Sequence, residues 1–118
     1  MSTRAATAAS RDALLRAMLI NSMSAQNKGA GCGVKAELLA ARLGVNERTL
    51  RSLISAARED GTAIVGTPET GYYIAQTPAE LEQCCAFLRS RAMHSLRIES
   101  RLRNIPLPEL LGQLHLPT

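Results

Sequence analysis

Residues 36–60 read AELLAARLGVNERTLRSLISAARED, and the apolar spacing within them decides the fold. Leu39 and Leu43 lie one helical turn apart, and Leu50, Leu53 and Ala57 resume the helical period after Gly44-Val45-Asn46. The spacing predicts a short helix, a tight turn and a second helix. Gly44 suits the left-handed position that ends a helix, because it has no Cβ to clash. Asn46 suits the cap of the next helix, because its side-chain oxygen can accept a free backbone N–H. Val45 can plug the junction, and Ala40 is small where the two helices cross.

Two helices joined in this way have the helix-turn-helix layout, whose second helix enters the major groove of DNA. With Leu50, Leu53 and Ala57 turned inward, Arg48, Arg51, Ser52, Ser55 and Arg58 share the outer face. Arginine can grip a guanine edge with two parallel bonds, and serine can bond bases or phosphates. Arg48 and Arg51 are therefore the expected base contacts. Lys35, Thr49, Ser52 and Arg58 are the expected backbone contacts. The helix is not simply basic, since Glu47, Glu59 and Asp60 offset its three arginines, although Glu47 lies in the first turn where the helix dipole favours it.

The rest of the composition agrees with a small helical protein. The chain has 118 residues, enough for one domain with an appendage. Its apolar residues are mostly Ala and Leu, with one Phe, two Tyr and no Trp, which favours helices. The net charge of +4 is unevenly placed. Residues 1–60 carry +4, residues 61–83 carry −3, residues 84–104 carry +4, and the remainder adds only Glu109. Two basic regions flank an acidic one, which favours a polyanionic partner.

Upstream of the central motif, residues 1–9 are expected to be a disordered start or to fray into the first helix. Ser10 is a fair N-cap, and Leu14, Leu15, Met18, Leu19 and Met23 form an apolar face that supplies the third wall of the core. Asn27 to Gly33 is glycine-rich. It follows a helix rather than a strand and lacks the Gly-Lys-Ser/Thr ending of a phosphate loop, so a flexible connector is expected, with Lys28 and Lys35 near phosphates at its ends.

Downstream, Thr62-Ala63-Ile64-Val65 and Tyr72-Tyr73-Ile74-Ala75 flank a Gly/Pro-rich loop and predict a β-hairpin. Ile64 and Ile74, with one tyrosine, should cover the core, leaving the other tyrosine for solvent or DNA. The loop carries Glu69 and no base, so a strong grip on phosphate there is not expected. Thr77-Pro78-Ala79-Glu80 is a capping box with proline at the first helical position. A helix from there can run to Arg103 or Asn104, ahead of Ile105-Pro106. Its second half is arginine-rich and projects. Self-pairing through Met93, Leu96, Ile98 and Leu102 is the favoured reading, ahead of backbone contact through Arg89, Arg97, Arg101 and Arg103 or a solvated end. In the Leu/Pro-rich tail, packing on the long helix with a short helix over 109–114 is preferred. Gln113-Leu114-His115-Leu116-Pro117 also looks like the peptide by which bacterial replication proteins dock on the sliding clamp, with His115 departing from that pattern.

Catalysis finds no support in the residues. His94 and His115 have no second ligand type at metal spacing, and no Ser/His/Asp or Cys/His arrangement can be drawn. Three cysteines without C-x-x-C spacing read as reduced thiols, Cys84 and Cys85 as small apolar helix fillers. No signal core or membrane span is visible, Ala17 to Ile20 being the longest apolar run near the start. The expectation is a cytoplasmic protein of a bacterial or infected host cell, with no cofactor, no metal and no membrane partner.

The order helix, helix-turn-helix, hairpin, long helix resembles the winged helix-turn-helix DNA-binding domains, on LLAARLGVNERTLRSLISAAREDG and GYYIA. With TPAELEQ and SRA following, the chain is similar to small winged-helix proteins of bacteriophages and prophages. The resemblance covers roughly residues 10–103. It implies that Asn46, Arg48, Thr49, Arg51, Ser52 and Ser55 occupy base- or phosphate-reading positions, and that the hairpin is a wing. The expected fold class is mainly α with a small β-hairpin. The winged domain would span 10–76, the long helix 77–104 and the tail 105–118. The expected activity is binding of double-stranded DNA as a dimeric transcriptional regulator or phage replication accessory. The alternative is a protein-interaction adaptor built on the same scaffold, for which the acidic 61–83 segment and the tail would serve.

Overall fold

The computed structural model describes residues 3–116, with side chains from residue 7 onward. The fold is mainly helical with one two-stranded antiparallel hairpin and a long helix. In chain order the elements are α1 (Thr3–Gln26), a 3-10 turn (Ala30–Cys32), α2 (Ala36–Leu43), α3 (Glu47–Glu59), β1 (Ile64–Thr67), β2 (Gly71–Ile74), α4 (Pro78–Leu102) and α5 (Leu107–Gln113). The chain divides into two compact units after Cys84.

In the first unit, the turn chemistry expected between α2 and α3 is realised. Gly44 is left-handed (φ 69°), Val45 N–H donates to Ala40 O at 3.0 Å, and Asn46 Oδ1 accepts from Thr49 N–H at 2.8 Å. Leu50, Leu53, Ile54 and Ala57 bury one side of α3 against Leu19 and Met23 of α1 and Leu39, Ala40 and Leu43 of α2. Each fully buried large aliphatic contributes about 1.5–3 kcal/mol, which fixes the roll of α3 about its axis.

Helix α1 differs from expectation at its start. It begins at Thr3, so Ser10 lies inside the helix rather than capping it, and residues 1–2 lie outside the described residues. Leu19 and Met23 are fully buried and Leu15 is half-buried, whereas Leu14 and Met18 are exposed. Five apolar residues span a wider arc than two short helices can cover, so only one edge of it is used.

The glycine-rich segment is an ordered part of the sheet, not a flexible connector. Lys28 and Val34 form bridges to Ile74 and Tyr72 on the free edge of β2. Gly29 N–H donates to Ile74 O, Ile74 N–H to Asn27 O, and Val34 and Tyr72 exchange both bonds, at 2.7–2.9 Å. The Asn27 side chain is buried and pins this segment: Nδ2 donates to Cys32 O at 2.7 Å, and Oδ1 accepts from Arg42 Nη1 at 3.0 Å. Gly33 is required by closeness, since a Cβ there would stand 1.9 Å from Thr70 O.

The hairpin pairs Ile64 with Ile74 and Val65 with Tyr73, so alternate residues face opposite ways. Ile64, Tyr72 and Ile74 join the main core. Val65 and Tyr73 form a second cluster with Cys84. Tyr73 is the buried tyrosine, 1% exposed, and its hydroxyl makes a long 3.4 Å contact to Gln83 Oε1, whereas Tyr72 packs on the core but stays half-buried. Burial, with the Glu80 carboxylate and Cys84 thiol nearby, holds the Tyr73 phenol above its usual range.

Helix α4 starts as the capping residues require, with Thr77 Oγ1 accepting from Glu80 N–H at 3.2 Å. The Glu80 carboxylate, however, accepts from Gln76 N–H at 2.8 Å and, with its other oxygen, from Ala30 N–H of the 3-10 turn at 2.9 Å. These backbone donors hold its carboxyl below the usual glutamate range. In the second unit, α4 ends at Leu102, and Asn104 takes a positive φ of 56°. The tail forms α5 over Leu107–Gln113, starting two residues ahead of the segment expected to be helical.

Candidate nucleic-acid interface

The buried underside of α3 leaves an outer face on which Arg48, Arg51, Ser52 and Ser55 are exposed. Arg48 and Ser55 are two turns apart, about 10.5 Å along the axis, which matches about three base-pair steps of 3.4 Å. The face also carries exposed Glu47 and Glu59, so its charge is mixed.

Internal bonding sorts the cations of this unit. Arg16 of α1 pairs at 3.3 Å with Asp60, the residue that follows α3. Arg42 Nη1 is held by Ser22 Oγ and Asn27 Oδ1, each at 3.0 Å. Arg58, half-buried, donates through Nε to Ile64 O at 2.8 Å. Lys35 Nζ donates to the carbonyls of Pro68 and Glu69 at the hairpin tip. That contact gives the ammonium a local partner at the hairpin tip. Arg48 and Arg51 form no hydrogen bond or ion pair among the described residues.

The polar positions expected beside them also divide. The Asn46 carbonyl oxygen is committed to the cap, and its NH₂ stays available. Thr49 is half-buried and faces an open groove between the N-terminal part of α1 and α3, of about 770 Å³, together with Arg11, Asp12, Asn46 and Val45. A second hollow of about 340 Å³ continues along Asp12, Arg16, Thr49 and Ser52. Arg11 thereby stands beside the outer face of α3. Its sequence neighbours gave no sign of this, because the crossing of α1 over α3 is a tertiary property.

In the second unit, the four residues expected for self-pairing do not share one face. Met93 and Leu96 are half-buried on the side of α4 that also carries buried Ser100, whereas Ile98 and Leu102 are exposed on the other side. The peptide 113–117 is not an extended strand over its described part. Leu114, His115 and Leu116 donate backbone N–H groups to Leu110, Gly112 and Leu111, and His115 has a φ of 59°. Pro117 lies outside the described residues. Docking of this segment in extended form requires breaking that turn.

Among the described residues there is no cluster of three or more His, Cys, Asp or Glu able to hold a metal, and no helix long and apolar enough to cross a membrane. Cys32, Cys84 and Cys85 form no disulfide, and the Cys84 thiol donates to Ile64 O at 3.4 Å. Comparison with protein-family models, curated proteins and solved structures finds no match to this chain.

Proposed function

We propose that this chain is a winged helix-turn-helix protein that binds double-stranded DNA, with α3 in the major groove. The observation that carries the reading is the sorting of cations. On a helix packed by its buried side and capped by Asn46, Arg48 and Arg51 are exposed and form no bond among the described residues, while Arg16, Lys35 and Arg42 are tied to the protein. Arg48 and Arg51 contact base edges, and Ser52, Ser55 and Arg58 contact phosphates. The hairpin tip, with Glu69 and no free cation, stands off the backbone. The protein acts as a dimer through its long C-terminal helix, in transcriptional control or phage replication.

The test is binding of a random-sequence duplex as salt is raised. Phosphate neutralisation releases counterions, so affinity should fall steeply between about 50 and 200 mM salt. The Arg48→Ala/Arg51→Ala protein should bind far less tightly. Absence of binding, or binding indifferent to salt, refutes the reading in favour of a protein adaptor.

A further inference from the structure

The second unit carries an apolar face on α4 that remains open: Leu88, Ile98 and Leu102 are 40%, 48% and 82% exposed. Leu88, Arg91, Ala92, Ser95, Ile98 and Leu102 recur at three- and four-residue steps, so they form one stripe. Met93, Leu96 and Ser100, the more covered residues, lie on the other side. We propose that this stripe pairs with the same stripe of a second copy, antiparallel, with Ser95 on the two-fold axis. The inference deepens the dimer component of the proposed function and rests on it, but it does not depend on the DNA contact.

The reason is a self-complementarity that appears only on reversal about Ser95. Leu88 then meets Leu102 of the second copy, Ala92 meets Ile98, and Arg91 meets Glu99. The two Ser95 side chains meet at the centre, where small groups let the backbones approach. Glu99 already receives Arg103 Nε at 2.7 Å, and Arg91 of the second copy supplies a second cation to the same carboxylate. The Arg91 guanidinium lies over the Phe87 ring, 5.8 Å from its centroid, on the side of α4 next to the stripe. Parallel pairing instead sets each residue against itself, so Arg91 faces Arg91. A two-fold contact of this kind is isologous and closes without leaving a free sticky end. Leu88 to Leu102 spans about 21 Å, a small interface, so a weak dimer whose population depends on concentration is expected.

The test uses the full chain without DNA. Sedimentation should show a mass rising from 12.7 kDa to twice that value as concentration increases. In a Cys32→Ser/Cys85→Ser background, Ser95→Cys should oxidise to a disulfide-linked dimer. Leu88→Cys and Leu102→Cys should each fail alone yet cross-link when the two proteins are mixed. Arg97→Cys, off the stripe, should fail throughout. Ile98→Asp/Leu102→Asp should abolish the dimer while retaining the circular dichroism of the helices. A protein monomeric at every concentration overturns the proposal. So does self-cross-linking of Leu88→Cys and Leu102→Cys as efficient as that of Ser95→Cys, which means a parallel pair, and so does equal cross-linking by Arg97→Cys. DNA binding is measured separately, so its failure with the dimer intact refutes only the groove reading.

Discussion

Replacing Asn27 with alanine tests how the glycine-rich segment is held. The amide is almost wholly buried and satisfies two partners, Cys32 O through Nδ2 and Arg42 Nη1 through Oδ1. The first is a neutral bond worth about 1 kcal/mol, and the second is charge-assisted, about 1.5–3 kcal/mol. Arg42 is exposed and keeps Ser22, so the lower end applies to it. The combined loss is about 2–3 kcal/mol. Unfolding entropy near 60 °C is about 2.1 cal/mol/K per residue, or about 0.18 kcal/mol/K over the first unit. The Asn27→Ala protein should therefore melt about 11–17 °C below the parent by calorimetry, with an unchanged urea m-value. Ser22→Ala, which removes only the exposed partner of Arg42, should shift the melt by a few degrees at most. A fall under about 3 °C for Asn27→Ala would show that the backbone bridges to β2 hold the segment without the amide.

Other perturbations separate the remaining physical causes. Gly33 has an ordinary φ of −64° but no room for a Cβ, whereas Gly44 has room and a left-handed φ. Gly33→Ala should cost more than the roughly 1–2 kcal/mol of backbone strain expected for Gly44→Ala, and equal urea midpoints would contradict the close approach to Thr70. Glu80 has a lowered carboxyl pKa, so its stabilising effect is complete above the unfolded value of about 4.3 and disappears as pH falls through the lower folded value. The stability gap between the parent and Glu80→Gln should thus be constant near neutrality and close below about pH 4, and a gap that ignores pH would exclude the carboxylate as its source. Arg51→Ala should relax sequence choice at one base pair by about 1–3 kcal/mol in a binding-site selection, and an equal loss on every sequence would assign it to phosphate. Lys35→Ala should leave the salt dependence of DNA binding unchanged and speed amide exchange at the hairpin tip, because its ammonium is spent on Pro68 and Glu69 carbonyls.

What the sequence made legible follows the range of the forces involved. The turn between α2 and α3, the cap at Asn46, the hairpin and the start of α4 are set within four or five residues, and local chemistry reads them directly. The segment 27–34 reads as a connector in sequence because its bonding partners are some 40 residues away. Lys28 and Val34 take the edge of β2, and nothing in Gly-Ala-Gly-Cys-Gly signals that. Glu80 is a mixed case, since one of its oxygens stays close to the capping geometry while the other reaches back to Ala30. The sequence leaves Tyr72 and Tyr73 interchangeable, because a two-stranded ribbon shows no second face until Cys84 covers it.

The same distinction governs the candidate interface. Periodicity places Arg48, Arg51, Ser52, Ser55 and Arg58 on one side of a helix, but it cannot say which charges the protein keeps for itself. The position of Lys35 beside α2 suggests a phosphate contact, but its ammonium bonds carbonyls of the hairpin tip, 33 residues later. A cation bonded to buried or converging carbonyls is worth more to the fold than to a ligand, because releasing it leaves acceptors unpaired. A cation with no internal bond contributes little to the fold, and when two of them share the exposed side of a capped, packed helix, both are available to a ligand in the proposed reading. The expected consequence is asymmetric: Arg48→Ala and Arg51→Ala should leave the melting temperature within a few degrees of the parent while weakening DNA binding. Arg42→Ala, which removes the charged partner of Asn27, should do the reverse. Finding that Arg48→Ala destabilises the fold as much as Arg42→Ala would mean that the outer face of α3 is held by the protein itself, and the groove-reading role would fall with it.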